Sequence, residues 1–466
     1  MKTVKTGEHN FYFMEEFDLI VIGSGSGLDV ASAMASRGNK VAVVEPGRLG
    51  GTCLNRGCIP SKMLIHRADI IREIEGSERF GIDASVNNID FERIIEEVNS
   101  EVHGSSESIE KSLENSENHT LYREEARFVD EKKIELKETR RQIKAEKIVV
   151  AAGSRPFIPP IEGVEDTEFW VSTDALNPDY RPESIIMVGG GYISMELAHF
   201  YGSMGAQVTI LERGDQLLKR EDKNISQKIT ELAEARYNVE LGLSASKIME
   251  REGKKVVKAE KNGEEVEFVA DEILMAAGRV PNSDTMEVEN AGIETTDRGF
   301  VKTNEEMETT VEGVYALGDI ADNWMFKHSA NHEAQIVFRN LISQGHRLDY
   351  PAMPHAVFTS PQIAGVGKTE QQLEEEDKHY VSASYDYEDT GMGGALKEED
   401  GFVKVLASEE GKILGCHIIG PEASILLHEV LVAMNAGSGN VSDIRNTVHI
   451  HPALNEVVQR AFNQIR

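Results

Sequence analysis

Two glycine-rich loops, each set between an apolar strand and a helix of small residues, constrain this chain more than any other feature. The first follows the apolar stretch 17–22, reads Gly23-Ser24-Gly25-Ser26-Gly27, and leads through a helix ending near Ala35 to a strand from Lys40 to Glu45. The second follows Ser184 to Val188, reads Gly189-Gly190-Gly191, and leads through a helix ending near Tyr201 to a strand from Gln207 to Glu212. Each is a βαβ opening. A dinucleotide site needs a strand that ends in glycines, so that backbone approaches the pyrophosphate and the next helix aims its N-terminal N–H groups at it. It also needs an acid about 20 residues on for the ribose hydroxyls. Glu45 lies 22 residues after Gly23, and Glu212 lies 23 after Gly189. One such loop also occurs as a tight turn in other α/β proteins, but two in register, each with its acid, point to two dinucleotide folds. The third small position holds Leu28 in the first loop and Ser194 in the second. A branched Leu28 requires the helix to shift or its side chain to point away.

The rest of the chain fits around these units. Phe91 to Leu113 reads as a long polar helix, Ala126 to Leu136 and Lys144 to Ala152 as strands, and Pro156 to Pro160 as a linker. After Gly345, alternating strands at Phe402 to Leu406 and Ile413 to Ile419 are joined by helical segments at Ser424 to Ala436 and Leu454 to Ile465. A length of 466 residues, at about 150 residues per domain, predicts roughly three domains. The expected class is α/β, with two Rossmann-like units and an α+β C-terminal part.

Charge excludes one class of partner. Acidic residues number 80 against 49 basic ones, a formal net charge of −31, whereas phosphate neutralisation requires clustered Lys and Arg. Nucleic acid is not an expected partner. Acidic runs such as Glu374 to Asp377 and Glu398 to Asp400 read as solvated faces, and they suit a salt-rich cytoplasm that screens their self-repulsion. Apolar stretches are too short for a membrane span. Near the start, Lys2, Lys5 and the aromatic stretch 11–13 do not make the continuous apolar core of a signal peptide. Three cysteines, Cys53, Cys58 and Cys416, are too few for a secreted disulfide framework, and the expected location is cytoplasmic.

The most informative segment is Gly50-Gly51-Thr52-Cys53-Leu54-Asn55-Arg56-Gly57-Cys58-Ile59-Pro60-Ser61-Lys62. In one regular helix, residues five apart are separated by about 7.5 Å along the axis and about 140° around it, a poor match to disulfide geometry. The pair therefore needs irregular backbone, which Gly57 and Pro60 allow. Pro60 belongs in a first helical turn, so a helix should start near Cys58. A helix N-terminus and Arg56 would lower a thiol pKa. Lys62 falls one turn beyond Cys58. A structural zinc would need four ligands, and His66 is the only other candidate nearby, so no metal site is expected. The cysteines read either as inert or, beside two dinucleotide loops, as a redox-active pair. Cys416, in an apolar strand, reads as a small core residue.

This segment resembles the active-site signature of the FAD-dependent pyridine nucleotide-disulfide oxidoreductases. The resemblance extends over essentially the whole chain: Val150-Ala151-Ala152-Gly153-Ser154-Arg155-Pro156, Ala276-Ala277-Gly278-Arg279-Val280-Pro281-Asn282, Tyr315-Ala316-Leu317-Gly318-Asp319, Val357-Phe358-Thr359-Ser360-Pro361, and His449-Ile450-His451-Pro452-Ala453-Leu454-Asn455-Glu456. It implies an FAD-binding domain at 15–155 and 276–345, an NAD(P)-binding domain at 156–275, and a dimerisation domain at 346–466. It further implies that FAD is held by Gly23, Gly25 and Gly27, by Glu45 at the ribose and by Asp319 at the ribityl chain. Gly189, Gly191 and Glu212 are implied for the nicotinamide dinucleotide, Tyr192 matches the aromatic that some members swing over the flavin, and Gly51, Thr52, Lys62, Gly153 and Gly278 complete the cofactor-binding set. Glu212 suits both ribose hydroxyls of NADH and repels a 2′-phosphate, whereas Arg213, Lys219 and Arg220 would attract the phosphate of NADPH; NADH is favoured.

By the same resemblance, Cys58 faces the flavin, Cys53 is the attacking thiolate, and Lys62 pairs with Glu196. His451, oriented by Glu456, is the acid and base, and it completes the site of the other subunit in a homodimer. Pro452 is expected in the first turn of the following helix, with Glu456 one or two turns along it. Mercuric reductase fits poorly, because the chain ends without the terminal cysteine pair of that enzyme. Retention of Cys53, Cys58, Lys62, His451 and Glu456 argues against a non-catalytic flavin sensor. The finer motifs look most like mycothione reductase, while Glu212 points toward NADH-linked lipoamide chemistry. The expected activity is reduction of a low-molecular-weight disulfide of the mycothione, glutathione or bis-γ-glutamylcystine type, with dihydrolipoamide dehydrogenase as the alternative.

Overall fold

A computed structural model describes residues 14–261, 263–321 and 323–465. The segment with Lys2, Lys5 and the aromatic stretch 11–13 lies outside the described residues. The chain divides into two compact units: one comprises the chain through Asn55 with Val102–Arg155 and Val280–Asp349, the other Arg56–Glu101, Pro156–Arg279 and Tyr350–Arg466.

In the first unit, a seven-stranded sheet runs in the order His119–Tyr122, Val41–Val44, Glu15–Ile22, Gln142–Val150, Lys133–Leu136 and Ala126–Asp130, with Val314–Ala316 also pairing with Gln142–Val150. The strands around Glu15–Ile22 are parallel, and the stretches Leu19 to Ile22, Val41 to Val44 and Ile148 to Val150 are apolar and buried, as strands covered on both faces require. Their side chains form one core with Leu28, Met34, Phe128 and Val337. Leu28 is buried in that core, and the tight approach of helix to strand falls on Gly27 instead. A Cβ at Gly27 would lie 2.8 Å from Ala151 Cβ and 2.9 Å from Val21 Cγ1. The stretch from Ala126 to Leu136, expected as one strand, is an antiparallel hairpin, Ala126–Asp130 and Lys133–Leu136. It turns at the polar triplet Asp130-Glu131-Lys132, where Asp130 Oδ1 accepts the Glu131 N–H at 3.0 Å.

The second unit contains the second βαβ opening as a four-stranded parallel sheet ordered Asn238–Leu241, Gln207–Glu212, Ser184–Val188 and Glu272–Met275. A three-stranded antiparallel meander, Ser244–Arg251, Lys254–Lys261 and Glu264–Ala270, shares its core. A separate core lies under a five-stranded antiparallel sheet ordered Pro354–Val357, Ile363–Gly367, Ile413–Ile419, Phe402–Ala407 and Val381–Asp386. The helices Ala423–Asn435 and Glu456–Gln464 pack on it. Helix Cys58–Glu75 packs against helix Tyr192–Ser203. Among the described residues, no helix is long and apolar enough to cross a membrane.

Candidate active site

The first glycine loop is shaped for close approach of a ligand to backbone. Gly23 has φ +99°, and a Cβ there would lie 2.2 Å from the Ala151 carbonyl oxygen; Gly51 has φ +66°, and a Cβ there would lie 2.6 Å from Gly25 Cα. Only glycine fits either position. Glu45, just past strand Val41–Val44, is fixed by the loop: its Oε2 accepts Ser24 N–H at 3.0 Å and Ser24 Oγ at 2.8 Å, and its Oε1 accepts Gly47 N–H at 2.9 Å. Ser26 Oγ accepts from Lys327 Nζ at 2.8 Å and donates to Asn331 Oδ1 at 2.9 Å. Asp319 Oδ2 accepts from Ser154 Oγ at 2.6 Å. This cradle of glycines at a helix start, with a carboxylate held at the end of the next strand, fits the adenosine diphosphate half of FAD. Thr52 is half-buried in the short helix Gly51–Arg56, and Gly153 has open space where a Cβ would point.

The second loop repeats the arrangement. Glu212 closes strand Gln207–Glu212, and its Oε2 accepts Gly190 N–H at 2.6 Å while Oε1 accepts Gly214 N–H at 2.7 Å. In both loops the acid thus spans from the glycine turn to the backbone two residues beyond itself. Gly191 caps helix Tyr192–Ser203, Tyr192 and Arg213 are exposed, and the Gly278 carbonyl accepts Phe157 N–H at 2.9 Å.

Between Cys53 and Cys58 the helix is interrupted. Helix Gly51–Arg56 carries half-buried Cys53, Gly57 intervenes, and helix Cys58–Glu75 begins at exposed Cys58, with Pro60 in its first turn. The two sulfurs therefore stand on separate helices, and the five-residue spacing is not that of one continuous helix. Cys416 is wholly buried in strand Ile413–Ile419, and burial pushes its thiol pKa well up.

Lys62 Nζ lies 2.8 and 2.7 Å from the two carboxylate oxygens of buried Glu196. Glu196 Oε1 also accepts the Phe358 N–H at 3.0 Å, and the Phe358 ring sits 4.6 Å from the ammonium. Because Lys62 keeps 34% of its side chain exposed, Lys62→Met is expected to cost about 3 kcal/mol, the low end for stranding a buried charge. The Lys62→Met/Glu196→Met double variant should recover much of that loss. Urea midpoints of the three proteins test this; equal midpoints for Lys62→Met and the parent would mean that the pair adds no net stability.

His451 is 73% exposed, and its Nδ1 lies 3.1 and 3.0 Å from the oxygens of buried Glu456. The bond to His451 is the main cause holding the Glu456 carboxyl below its ordinary pKa. Pro452 does not lie in the first turn of the following helix, the position expected for it, but in the turn before that helix. Glu456, expected one or two turns along, is instead the first residue of helix Glu456–Gln464. A five-residue loop thus folds His451 back over the helix start, where a carboxylate is favoured by the helix dipole. Two residues upstream, buried His449 places Nε2 3.0 Å from Glu429 Oε2.

Four contacts had no signal in the sequence: the Phe358 N–H on Glu196, the Ser24 hydroxyl on Glu45, the His449–Glu429 pair, and Asp69 with His199 on the paired helices.

The chain matches the family described as pyridine nucleotide-disulphide oxidoreductase over residues 17–334, and the dimerisation domain of the same family over 353–462. It is 33% identical to mycothione reductase of Mycobacterium tuberculosis over 472 residues, covering 97% of this chain and all of that protein. It is 37% identical to dihydrolipoyl dehydrogenase of Haloferax volcanii over 454 residues, 95% of each chain. Among solved structures, the HOCl-induced flavoprotein disulfide reductase RclA from Escherichia coli, in its Cu(II) complex, superposes with a TM-score of 0.87 at 26% identity, covering 97% of this chain and all of that one. The fold is the expected one of two Rossmann-like units with an α+β C-terminal part. By sequence over both matched regions and by fold, this chain belongs to the pyridine nucleotide-disulphide oxidoreductases, enzymes that join FAD and a nicotinamide dinucleotide to the chemistry of a disulfide.

Proposed function

We propose that this enzyme uses NADH to reduce a low-molecular-weight disulfide through Cys53 and Cys58. The observation that carries the reading is the break at Gly57, which gives each cysteine its own helix, together with an exposed His451 aligned by buried Glu456. The domains follow the division 15–155 with 276–345 for FAD, 156–275 for the nicotinamide and 346–466 for dimerisation. FAD is assigned to Gly23, Gly25, Gly27, Glu45, Gly51, Thr52, Gly153 and Asp319, with Lys62 on its reactive side. The nicotinamide dinucleotide is assigned to Gly189, Gly191, Glu212 and Arg213, Tyr192 is the aromatic that covers the flavin, and Gly278 completes the cofactor-binding set.

Bound FAD supplies a two-electron carrier between nicotinamide and sulfur. The chain's own residues do the rest. The Cys53 thiolate attacks one sulfur of the substrate R–S–S–R; that S–S bond breaks, a Cys53–S–S–R bond forms, and the departing RS⁻ takes a proton from His451. The Cys58 thiolate then attacks the Cys53 sulfur, expels the second RS⁻ and restores the Cys53–Cys58 disulfide. Glu456 at Nδ1 holds the imidazole so that Nε2 is the nitrogen that carries the transferred proton. In a homodimer, His451 serves the cysteines of the partner. A salt-rich cytoplasm is the setting this acidic surface suits.

Dihydrolipoamide oxidation is the second reading, favoured by Glu212 and by the similarity to the Haloferax enzyme. The two are separated by assaying lipoamide, glutathione disulfide, bis-γ-glutamylcystine, mycothione and coenzyme A disulfide with NADH and NADPH in high salt. A small soluble disulfide is expected to give the highest kcat/KM; lipoamide as the best substrate would transfer the assignment to the second reading. NADH should exceed NADPH by roughly fivefold in kcat/KM, since like charges about 4 Å apart cost about 1 kcal/mol in a water-like dielectric. A preference for NADPH would show that Arg213 outweighs Glu212.

A further inference from the structure

The helix that begins at Cys58 and the helix that follows the second glycine loop are joined twice. Lys62 and Glu196 make the first tie. The second is His199 Nε2, 2.7 Å from Asp69 Oδ1, with the imidazole only 2% exposed. Apolar side chains of the first helix, Leu64, Ile65 and Ala68, are also buried, but apolar packing alone tolerates small slides that a hydrogen bond does not.

The ties are unequally spaced. Lys62 and Asp69 are seven residues apart, about 10.5 Å along one helix, whereas Glu196 and His199 are three apart, about 4.5 Å along the other. Two ties at separated points on each helix resist a slide or roll that one tie alone would allow. The polarity of the second tie is also fixed. His199 Nδ1 is buried without a hydrogen-bond partner among the described residues, so the tautomer with its proton on Nε2 leaves no N–H unsatisfied and aims the donor at Asp69.

We propose that His199, through Asp69, is a positioning residue of the redox centre: it locks the crossing of the two helices and so holds Lys62 and the Cys58 helix start in register with Glu196 and Tyr192. This rests on the functional reading above, in which Lys62 lies on the reactive side of the flavin. His199 touches neither cofactor nor substrate in this role; it acts through the helix pair.

The test uses the FAD-loaded enzyme, with NADH bleaching of flavin followed by stopped flow and amide hydrogen exchange followed in parallel with and without FAD. His199→Leu and Asp69→Ala should each slow flavin reduction about ten- to a hundredfold, the effect of a small misplacement at a reacting centre. Both should speed exchange across Cys58–Glu75 and Tyr192–Ser203. His199→Gln, which keeps an N–H for Asp69, and Asp69→Asn, which keeps an acceptor, should stay within about twofold of the parent. The His199→Leu/Asp69→Ala double variant should be no slower than the worse single one, because both remove one interaction. A purely structural role would lower the thermal midpoint while leaving the rate per bound flavin unchanged, and that result overturns the proposal. Asp69→Ala, at a partly exposed carboxylate, carries the test if His199→Leu fails to fold. If NADH does not bleach the parent enzyme, the functional reading itself fails; if it does, Lys62→Met is slow and both tie variants are unaffected, the functional reading stands and this inference alone fails.

Discussion

Cys58→Ser enzyme incubated with a small disulfide is expected to accumulate a mixed disulfide on Cys53, whereas Cys53→Ser accumulates none on Cys58 and loses turnover by at least about three orders of magnitude. The two outcomes follow from one exchange step. A Cys53 thiolate displaces RS⁻ from R–S–S–R, and with serine at 58 nothing can attack the Cys53 sulfur to release the second half. Mass spectrometry of the intact protein, followed by peptide mapping, reads the adduct directly and needs no flavin signal. Exposure does not settle the assignment, since Cys58 is the more exposed of the two. The assignment rests on the family resemblance, in which the cysteine that opens the helix carrying Lys62 one turn later faces the flavin. An adduct on Cys58 in Cys53→Ser, with none on Cys53 in Cys58→Ser, would exchange the two roles.

The features legible in the sequence are those whose signal is local. Strand Ser184–Val188 and strand Ile413–Ile419 begin and end where the apolar runs predict, and the helix after the cysteines starts at Cys58 because Pro60 confines it there. The hairpin within Ala126–Leu136 is hidden because its turn, Asp130-Glu131-Lys132, contains neither glycine nor proline. The preference of proline for a first helical turn, which places Pro60 correctly, misplaces Pro452. There the loop runs on to Glu456, whose carboxylate both starts the helix and meets His451. Leu28 reads as a defect only if the third small position makes the helix–strand contact; Gly27 makes it, one residue earlier.

What no local pattern carries is pairing over long separations. Glu196 is legible as the partner of Lys62 only through resemblance, and nothing near it in sequence announces that Phe358 lends it a backbone N–H from 162 residues away. The doubled loops are a partial exception. Once Glu45 is seen to bridge the backbone of Ser24 and Gly47, the same geometry for Glu212 with Gly190 and Gly214 follows from the repeated spacing, and the structure has it. An acid already fixed by backbone donors would lose little orientational entropy on meeting a ribose.

His451→Ala is expected to retain reduction of bound flavin by NADH yet lose disulfide turnover by about 10²- to 10⁴-fold, the range contributed by a positioned acid and base. The two half-reactions are expected to separate because His451 lies in the turn before helix Glu456–Gln464, far in sequence from the second glycine loop. Small leaving thiols of low pKa should suffer least, since they depart without protonation. Glu456→Gln makes the complementary case. It keeps a hydrogen-bonding side chain at Nδ1 but removes the charge that stabilises the imidazolium. Because His451 holds the Glu456 carboxyl below its ordinary pKa, Glu456 stays ionised to lower pH than an ordinary carboxylate. In Glu456→Gln the imidazolium loses its partner's charge but keeps a hydrogen-bonding neighbour, so turnover should fall by less than in His451→Ala. Unchanged turnover in His451→Ala would remove His451 from the mechanism, and unchanged turnover in Glu456→Gln would reduce Glu456 to a helix-capping carboxylate with no part in proton transfer.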